Sequence, residues 1–499
     1  MSELYPGLPP PPPPPEPLPA ASVILWRDGP RGREIFWVRR GAPLRFAGGF
    51  QAFPGGKVDQ GDARVPVAGA SGEAAAAIAA AARELFEEAG VLVAGWARGL
   101  ARAEREAARR RILSGELDFG AFVSRHGLTL DASDYLPAGR WVTPALYPLR
   151  FDARFFLVRL PEGEEPAVWP GELAAGEWVT TAEALGGWER GEVLLHPPTL
   201  WPIQCLDRAG PPACLEAMRA PPHVEGFSPR RIEFQRGLFL VPLRTPTLPP
   251  AVHTACYLLD VGGGVAVVDP GSPWPEEQAA LLRVLGDLAA EGLPAREIWI
   301  THAHADHVGA VEALRTRLGL PLRAHPDAAA RLPAGAGQAG PVADGELLGG
   351  RWRALHTPGH ARGHLAFHDE RSGALLAGDL VSTLSTIVVD PPEGHMATYL
   401  GSLARIRGLG PRTIYPAHGP PAPDAAAKVD EYLEHRRARE DRVLAATRGG
   451  TLEEVTARAY DDTPRFLHGV AARSCLASLH KLRDEGRVRE DGGRWMRAG

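Results

Sequence analysis

The run Thr301-His302-Ala303-His304-Ala305-Asp306-His307 constrains this chain more than any other stretch. It packs three imidazoles and a carboxylate into six residues, directly after an apolar segment, 297–300, that reads as a buried strand. A lone histidine is usually a core or surface residue. Three at this spacing, with an aspartate between them and anchored to the end of a rigid element, supply nitrogen and oxygen donors suited to Zn, Fe or Mn. The flanking pattern is α/β in kind. Apolar strands at 257–259 and 265–269 are joined through Gly262-Gly263-Gly264, and an amphipathic helix at 276–292 leads into the strand before the run. Strand–helix alternation continues to about residue 414.

The spacing HxHxDH resembles that of the metallo-β-lactamase superfamily, and further positions follow in that family's order. These are Asp269 in Val268-Asp269-Pro270-Gly271, His360 in Thr357-Pro358-Gly359-His360, Asp379 in Ala377-Gly378-Asp379, and His418 in Pro416-Ala417-His418-Gly419. Each falls at the end of an expected strand. The resemblance covers about 230–425. It implies that His302, His304 and His360 hold one metal, that Asp306, His307 and His418 hold a second, that Asp379 bridges them, and that Asp269 orients the site. The implied cofactors are two Zn²⁺ ions (or Fe or Mn), clamping a hydroxide for attack on an ester, thioester or phosphodiester. Asp306 is then a catalytic as well as a metal residue. His325, His364 and His395 lie outside the matched positions and are expected beside the site or on the surface.

A second signature stands near the N-terminus. Gly55-Gly56-Lys57-Val58-Asp59-Gln60-Gly61-Asp62 precedes Arg83-Glu84-Leu85-Phe86-Glu87-Glu88-Ala89-Gly90-Val91. An Ala-rich helix is expected over about 72–89, with Ser71 as N-cap and Gly90 as left-handed C-terminal residue. On it, Glu84, Glu87 and Glu88 share one face, a hard-oxygen set able to hold Mg²⁺ or Mn²⁺. These residues resemble the Nudix box. The departures are that 20 residues, in place of seven, separate Asp62 from Arg83, and that the acid is Asp, not Glu. Such an insertion, with Phe53-Pro54-Gly55-Gly56, Arg150-Phe151-Asp152-Ala153-Arg154-Phe155-Phe156 and His196-Pro197-Pro198-Thr199, resembles the peroxisomal coenzyme A diphosphatase type over about 20–206. The resemblance implies hydrolysis of a diphosphate linkage, as in coenzyme A or a nucleotide derivative, with Glu84 catalytic.

The C-terminal stretch 430–497 reads as helices and a short hairpin. Its segments Glu434-His435-Arg436-Arg437-Ala438-Arg439-Glu440 and Ser478-Leu479-His480-Lys481-Leu482-Arg483-Asp484-Glu485-Gly486-Arg487-Val488 resemble the winged-helix tail of the β-lactamase-like endoribonucleases. That likeness implies contact with single-stranded RNA through Arg436, Arg437, Arg439, His480 and Lys481. Yet 14 basic residues face 12 acids over 431–499, so no electrostatic footprint for nucleic acid emerges.

The expected architecture is therefore multidomain α/β. It comprises a Pro-rich tail at 1–19, a Nudix-like α/β/α sandwich at 20–208, a linker at 209–229, a metallo-β-lactamase αββα sandwich at 230–428, and a small winged helix at 430–497. A net charge of −5 gives no general case for nucleic-acid or membrane-surface binding. Cys205, Cys214, Cys256 and Cys475 lack any framework spacing, so reduced thiols in a cytoplasmic protein are expected. No membrane partner is expected. Two functional readings follow. One is a bifunctional metal-dependent hydrolase of small molecules: an acyl thioester, coenzyme A or a nucleotide derivative. The other is a single-strand endoribonuclease whose Nudix half serves as a ligand-binding module.

Overall fold

The computed structural model describes residues 13–41, 48–95, 100–145, 147, 149–169 and 173–498. Most of the Pro-rich tail lies outside them. The chain forms two compact units, 14–236 and 237–499.

In the first unit the long strand Leu18–Gly29 pairs antiparallel with Gly32–Arg40 and parallel with Phe151–Arg159. Leu136–Val142 extends the sheet on one side, and Leu173–Thr180 pairs with Gly32–Arg40 on the other. The period-two alternation of the strands serves two cores. Ala21, Val23, Leu25, Phe36 and Val38 face one, while Ile24, Ile35 and Trp37 face the other. Helix Gly72–Ala89 covers the first face. Its run Ala79–Ala82 is fully buried, because small side chains let the helix sit close to the sheet. Gly90 ends it at φ 72°, while Ser71 is the N-cap without a side-chain cap bond. Helices Thr181–Glu189 and Pro197–Ala209 cover the second face, completing an α/β/α sandwich.

The expected linker at 209–229 is instead part of this unit. Helix Leu215–Arg219 buries Leu215 and Met218 in the same core as Ile203, Leu206 and Cys214. Prolines and glycines there mark turns between packed pieces, and the unit ends at Arg236.

The second unit is built on two sheets. One runs Leu238–Arg244, His253–Asp260, Val265–Val268, Ala295–Trp299, Leu322–Ala324 and Gly340–Pro341, antiparallel at first and parallel from Val265 on. The other runs Leu347–Leu348, Trp352–His356, Leu365–Asp369, Ala374–Gly378 and Thr413–Pro416. Aromatic pairs join the sheets face to face, with Trp299 and Phe367 at 5.3 Å and Tyr257 and Tyr415 at 6.1 Å. Helices Pro275–Ala290 and Val311–Leu318 pack outside the first sheet, and Met396–Leu409 and Ala425–Ala446 outside the second. This is the expected αββα order.

A winged helix follows, made of helices Leu452–Ala459 and His468–Asp484 with the hairpin Val488–Asp491 and Arg494–Arg497. The boundary expected near 428–430 does not exist as a break. Helix Ala425–Ala446 is continuous, with Val429 and Tyr432 in the sandwich core and Val443 and Ala446 in the winged-helix core. Among the described residues no helix is long and apolar enough to cross a membrane.

Candidate metal centre

All seven expected donors meet at one edge of the αββα sandwich, five of them in loops after strands and Asp306 and His307 in the one-turn helix Ala305–Val308. Their donor atoms form two groups: His302, His304, His360 and Asp379 in one, and Asp306, His307 and His418 in the other, with atoms within each group no more than 4.8 Å apart. In the first, Nδ1 of His304 lies 2.9 Å from Nε2 of His302 and 3.1 Å from Nε2 of His360. Asp379 spans the two groups. Its Oδ2 stands 3.5 Å from His360 Nε2, and its Oδ1 stands 3.3 Å from His418 Nε2 and 3.6 Å from His307 Nε2. Oδ2 of Asp306 is 3.5 Å from His418 Nε2.

The inward-facing nitrogens are set by bonds on the far side of each ring. His360 Nδ1 bonds the Val388 carbonyl at 2.8 Å, and His418 Nδ1 bonds the His253 carbonyl at 3.1 Å. Asp269, at the end of strand Val265–Val268, accepts from the Thr301 amide at 2.8 Å, from Thr301 Oγ1 at 2.6 Å and from His307 Nδ1 at 2.8 Å. With its proton committed to Asp269, Thr301 Oγ1 is left to accept from His302 Nδ1, 3.0 Å away. His364 is buried beside the site and not in it. Its Nε2 accepts the Asp379 amide at 3.0 Å while its Nδ1 meets Thr357 Oγ1 at 2.8 Å. His395 caps helix Met396–Leu409, and His325 stacks on His356.

The donor set fits divalent metal ions. His307 Nε2 and Asp379 Oδ1 are buried with no hydrogen-bond partner, and nitrogens with lone pairs converge on one point. Burial, with the neighbouring imidazoles, holds His302 well below the usual histidine range and His360 down at about 4. Burial also works against protonation of His307, but the Asp269, Asp306 and Asp379 carboxylates outweigh it and hold that ring well above its usual value.

Sequence reasoning passed over two contributors. Thr301 belongs to the constraining run but had no role there. Glu393 stands with its carboxylate 3.7 Å from His304 Nε2 and 3.7 Å from Arg331 Nε, and no motif marks it.

A cavity of about 960 Å³ opens on the cluster. His304, Asp306, His360, Asp379 and His418 form its floor. Its walls include Leu248, Pro249, Ile387 and Val388 from the sandwich, and Leu467, Val470 and Ala471 from the winged helix. The winged helix is thus a wall of the site. Several of the basic groups on this side are neutralised by carboxylates. Arg439 and Arg442 pair with Asp462, Lys481 with Glu440 and Glu485, and Arg473 with Asp390. His480 lies beside Trp495, and Arg437 is exposed.

The carboxylates of the first unit are arranged differently. Arg83 holds Asp62 with two bonds, Nε to Oδ1 at 2.9 Å and Nη2 to Oδ2 at 3.0 Å, and donates through Nη1 to Glu84 at 2.7 Å and Glu87 at 3.3 Å. Glu88 turns away to accept the Gly55 amide at 2.9 Å. Among the described residues this trio is not one of the converged donor groups, and Arg83 Nη1 contacts both Glu84 and Glu87. The long insertion does not displace Asp62. Part of it forms strand Val67–Ala68, which pairs with Leu130–Asp131, so the acid stays buried against Arg83. Gly56 lets the Glu84 carboxylate lie close against the backbone, since a Cβ there would stand 2.4 Å from it and the carboxylate would have to move. One arginine among four acids leaves excess negative charge, and burial lifts the Glu84 carboxyl to about 7. An all-oxygen set with that charge deficit suits a hard divalent cation.

Comparison with known proteins bears on both halves of the second unit. Residues 249–418 match the metallo-beta-lactamase superfamily, and residues 451–495 match the beta-lactamase associated winged helix domain. The lactamase-like protein vrtG of Penicillium aethiopicum is 30% identical over 301 residues, covering 56% of this chain and 89% of the relative. A beta-lactamase-like protein 2 homolog of Caenorhabditis elegans is 30% identical over 246 residues, 47% of this chain and 80% of that protein. An atrochrysone carboxyl ACP thioesterase of Aspergillus fumigatus is 29% identical over 233 residues, covering 46% of this chain and 51% of its own length. Among solved structures, a NUDIX hydrolase from Alicyclobacillus acidocaldarius is 30% identical, covers 41% of this chain and 94% of its own, and has a TM-score of 0.35.

Proposed function

The chain belongs to the metallo-beta-lactamase superfamily, and from that membership we propose that its second unit is a two-metal hydrolase of small acyl thioesters and esters. The observation that carries this reading is the cavity, which joins a polar His/Asp floor to an apolar wall of Leu248, Ile387, Leu467 and Val470. An acyl group fits such a wall, and a thioester carbonyl fits such a floor. His302, His304, His360 and Asp379 would hold one ion, and Asp306, His307 and His418 the other. Bound divalent ions supply Lewis acidity toward a carbonyl oxygen and a nucleophile at neutral pH. The protein's own part is orientation. Asp269 keeps His307 Nε2 and, through Thr301, His302 Nε2 directed inward, while His364 fixes the backbone that presents Asp379. The winged-helix wall keeps water from the acyl side. The endoribonuclease reading is weakened but not removed, since two of the five basic residues that motivated it, Arg439 and Lys481, are paired with carboxylates within the protein.

For the first unit we propose Mg²⁺- or Mn²⁺-dependent cleavage of a diphosphate linkage, as in coenzyme A or a nucleotide derivative. Glu84, Glu87 and Glu88 would serve the cation, and Arg83 would orient the carboxylates together with Asp62.

The deciding experiment loads full-length protein with metal, counts the bound ions, and compares a panel of acyl thioesters with unstructured RNA. About two transition-metal ions per chain are expected, with thioester turnover that disappears in Asp379→Ala. A protein that binds no metal, or whose turnover survives in that variant, overturns the proposal. RNA cleavage lost in Asp379→Ala restores the nuclease reading.

A further inference from the structure

Arg436 differs from every neighbouring cation of the winged-helix side. It is 6% exposed and lines the cavity above the His/Asp cluster. Its guanidinium donates to the Ile387 carbonyl and sits 5.2 Å from the centre of the Tyr399 ring, contacts that hold it in place. Among the described residues no carboxylate pairs with it, and its Nε is buried without a hydrogen-bond partner. Arg439, Arg442, Arg473 and Lys481 all have acidic partners. Burying a guanidinium with no counter-charge is strongly unfavourable, so a buried arginine ordinarily stands with an anion. The adjacent His435 also lines the cavity, and its Nδ1 is likewise buried and unpartnered. Two unsatisfied polar groups thus sit side by side in the wall of the cavity that holds the reactive cluster.

We infer that Arg436, with His435 beside it, seats an oxyanion of the substrate, so that the thioesters this site takes carry a carboxylate or phosphate. This rests on the thioesterase reading and narrows its substrate class. The planar guanidinium suits such a group, and charge-assisted bonds to it contribute both affinity and orientation. Arg436 is in this view a specificity residue, and the His/Asp cluster would hold the ions that activate attack on a carbonyl elsewhere in the same cavity.

The test uses full-length, metal-loaded protein and four thioesters. The acyl group carries or lacks a terminal carboxylate, and the thiol is coenzyme A or the phosphate-free N-acetylcysteamine. Wild type should favour the oxyanion-bearing member of one pair. In Arg436→Met the ratio of kcat/KM within that pair should fall about 10- to 100-fold, and Arg436→Lys should recover part of it. The pair whose ratio moves identifies carboxylate or phosphate. If Arg436→Met lowers all four substrates equally, or none, the seat is refuted, because a packing role at the Ile387 carbonyl would not discriminate. If wild type turns over none of the four, the thioesterase reading has failed. The seat is then judged by calorimetry with succinate and with inorganic phosphate. Weaker binding of either in Arg436→Met supports it, and equal binding of both overturns it.

Discussion

Replacing Asp269 by Asn isolates the orienting role of one carboxylate. The side chain is buried, and it accepts three hydrogen bonds, one on Oδ1 and two on Oδ2. Its φ of 50° lies in the left-handed region, which Asn tolerates, so the backbone is not what the substitution probes. With the amide oxygen kept toward the Thr301 amide, the new NH₂ faces the Thr301 hydroxyl and His307 Nδ1. The hydroxyl can rotate to accept from it. His307 cannot, unless its proton moves to Nε2, the nitrogen that faces Asp379. A bond from a donor to a carboxylate is worth about 1.5–3 kcal/mol, and leaving the donor buried adds a desolvation cost, so about 2–5 kcal/mol of stability should be lost. The imidazole in its wrong tautomer should weaken metal binding at the Asp306/His307/His418 group about 10- to 100-fold. Guanidinium unfolding of the metal-free protein measures the first quantity, and competitive metal titration the second. Asp269→Ala should cost about 1–2 kcal/mol more because it adds left-handed backbone strain. If Asp269→Asn unfolds within about 0.5 kcal/mol of wild type and binds both metals equally tightly, the orienting argument is wrong.

Other consequences can be measured separately. Buried Asp369 accepts from Arg351 Nε and Nη2, Ser372 Oγ and the Arg371 amide, which outweigh its burial and hold its carboxyl below the usual range. Its stabilising effect is therefore present above the unfolded-state value and fades as pH falls through the lower folded-state value. Asp369→Asn should cost about 2–4 kcal/mol at pH 7 and progressively less as pH falls below the usual carboxylate range, and a loss in urea melts that does not change with pH would exclude this origin. Gly359 has φ 126°, and a Cβ there would meet the Tyr399 backbone at 2.3 Å, so Gly359→Ala should lose about 3 kcal/mol or more and displace the adjacent His360. Metal analysis of that variant should return about one ion per chain against the two expected for wild type, and a full complement would show that His360 had not moved. Glu87→Gln should remove Mg²⁺-dependent release of products from coenzyme A or NADH while thioester turnover, the internal control, continues. Unchanged diphosphatase activity would take Glu87 out of the site.

Much of the metal centre was legible in the sequence because its chemistry is carried by residue type at strand ends. His302, His304, Asp306 and His307 announce themselves by spacing, and His360, Asp379 and His418 by the short turns that carry them. Helix Gly72–Ala89 and its Gly90 terminus were equally readable, since periodicity and a left-handed glycine are local properties. What depends on contacts between distant segments was not. The turn residues at 209–229 look like a linker until Leu215 and Met218 find a core. Nothing local distinguishes Arg439 from Arg436 in the same basic run, yet the fold pairs the first with Asp462 and buries the second, without a carboxylate partner among the described residues, in the cavity above the His/Asp cluster. In the same way the fold decides that Arg83 binds Glu84 and Glu87 through one nitrogen while also holding Asp62, 21 residues away in the chain. The sequence by itself determined the donors and the strands that present them, because donor chemistry and period are written residue by residue. Only the tertiary structure decided which charges are neutralised, because the partner of a buried charge is chosen by packing across dozens of residues of chain.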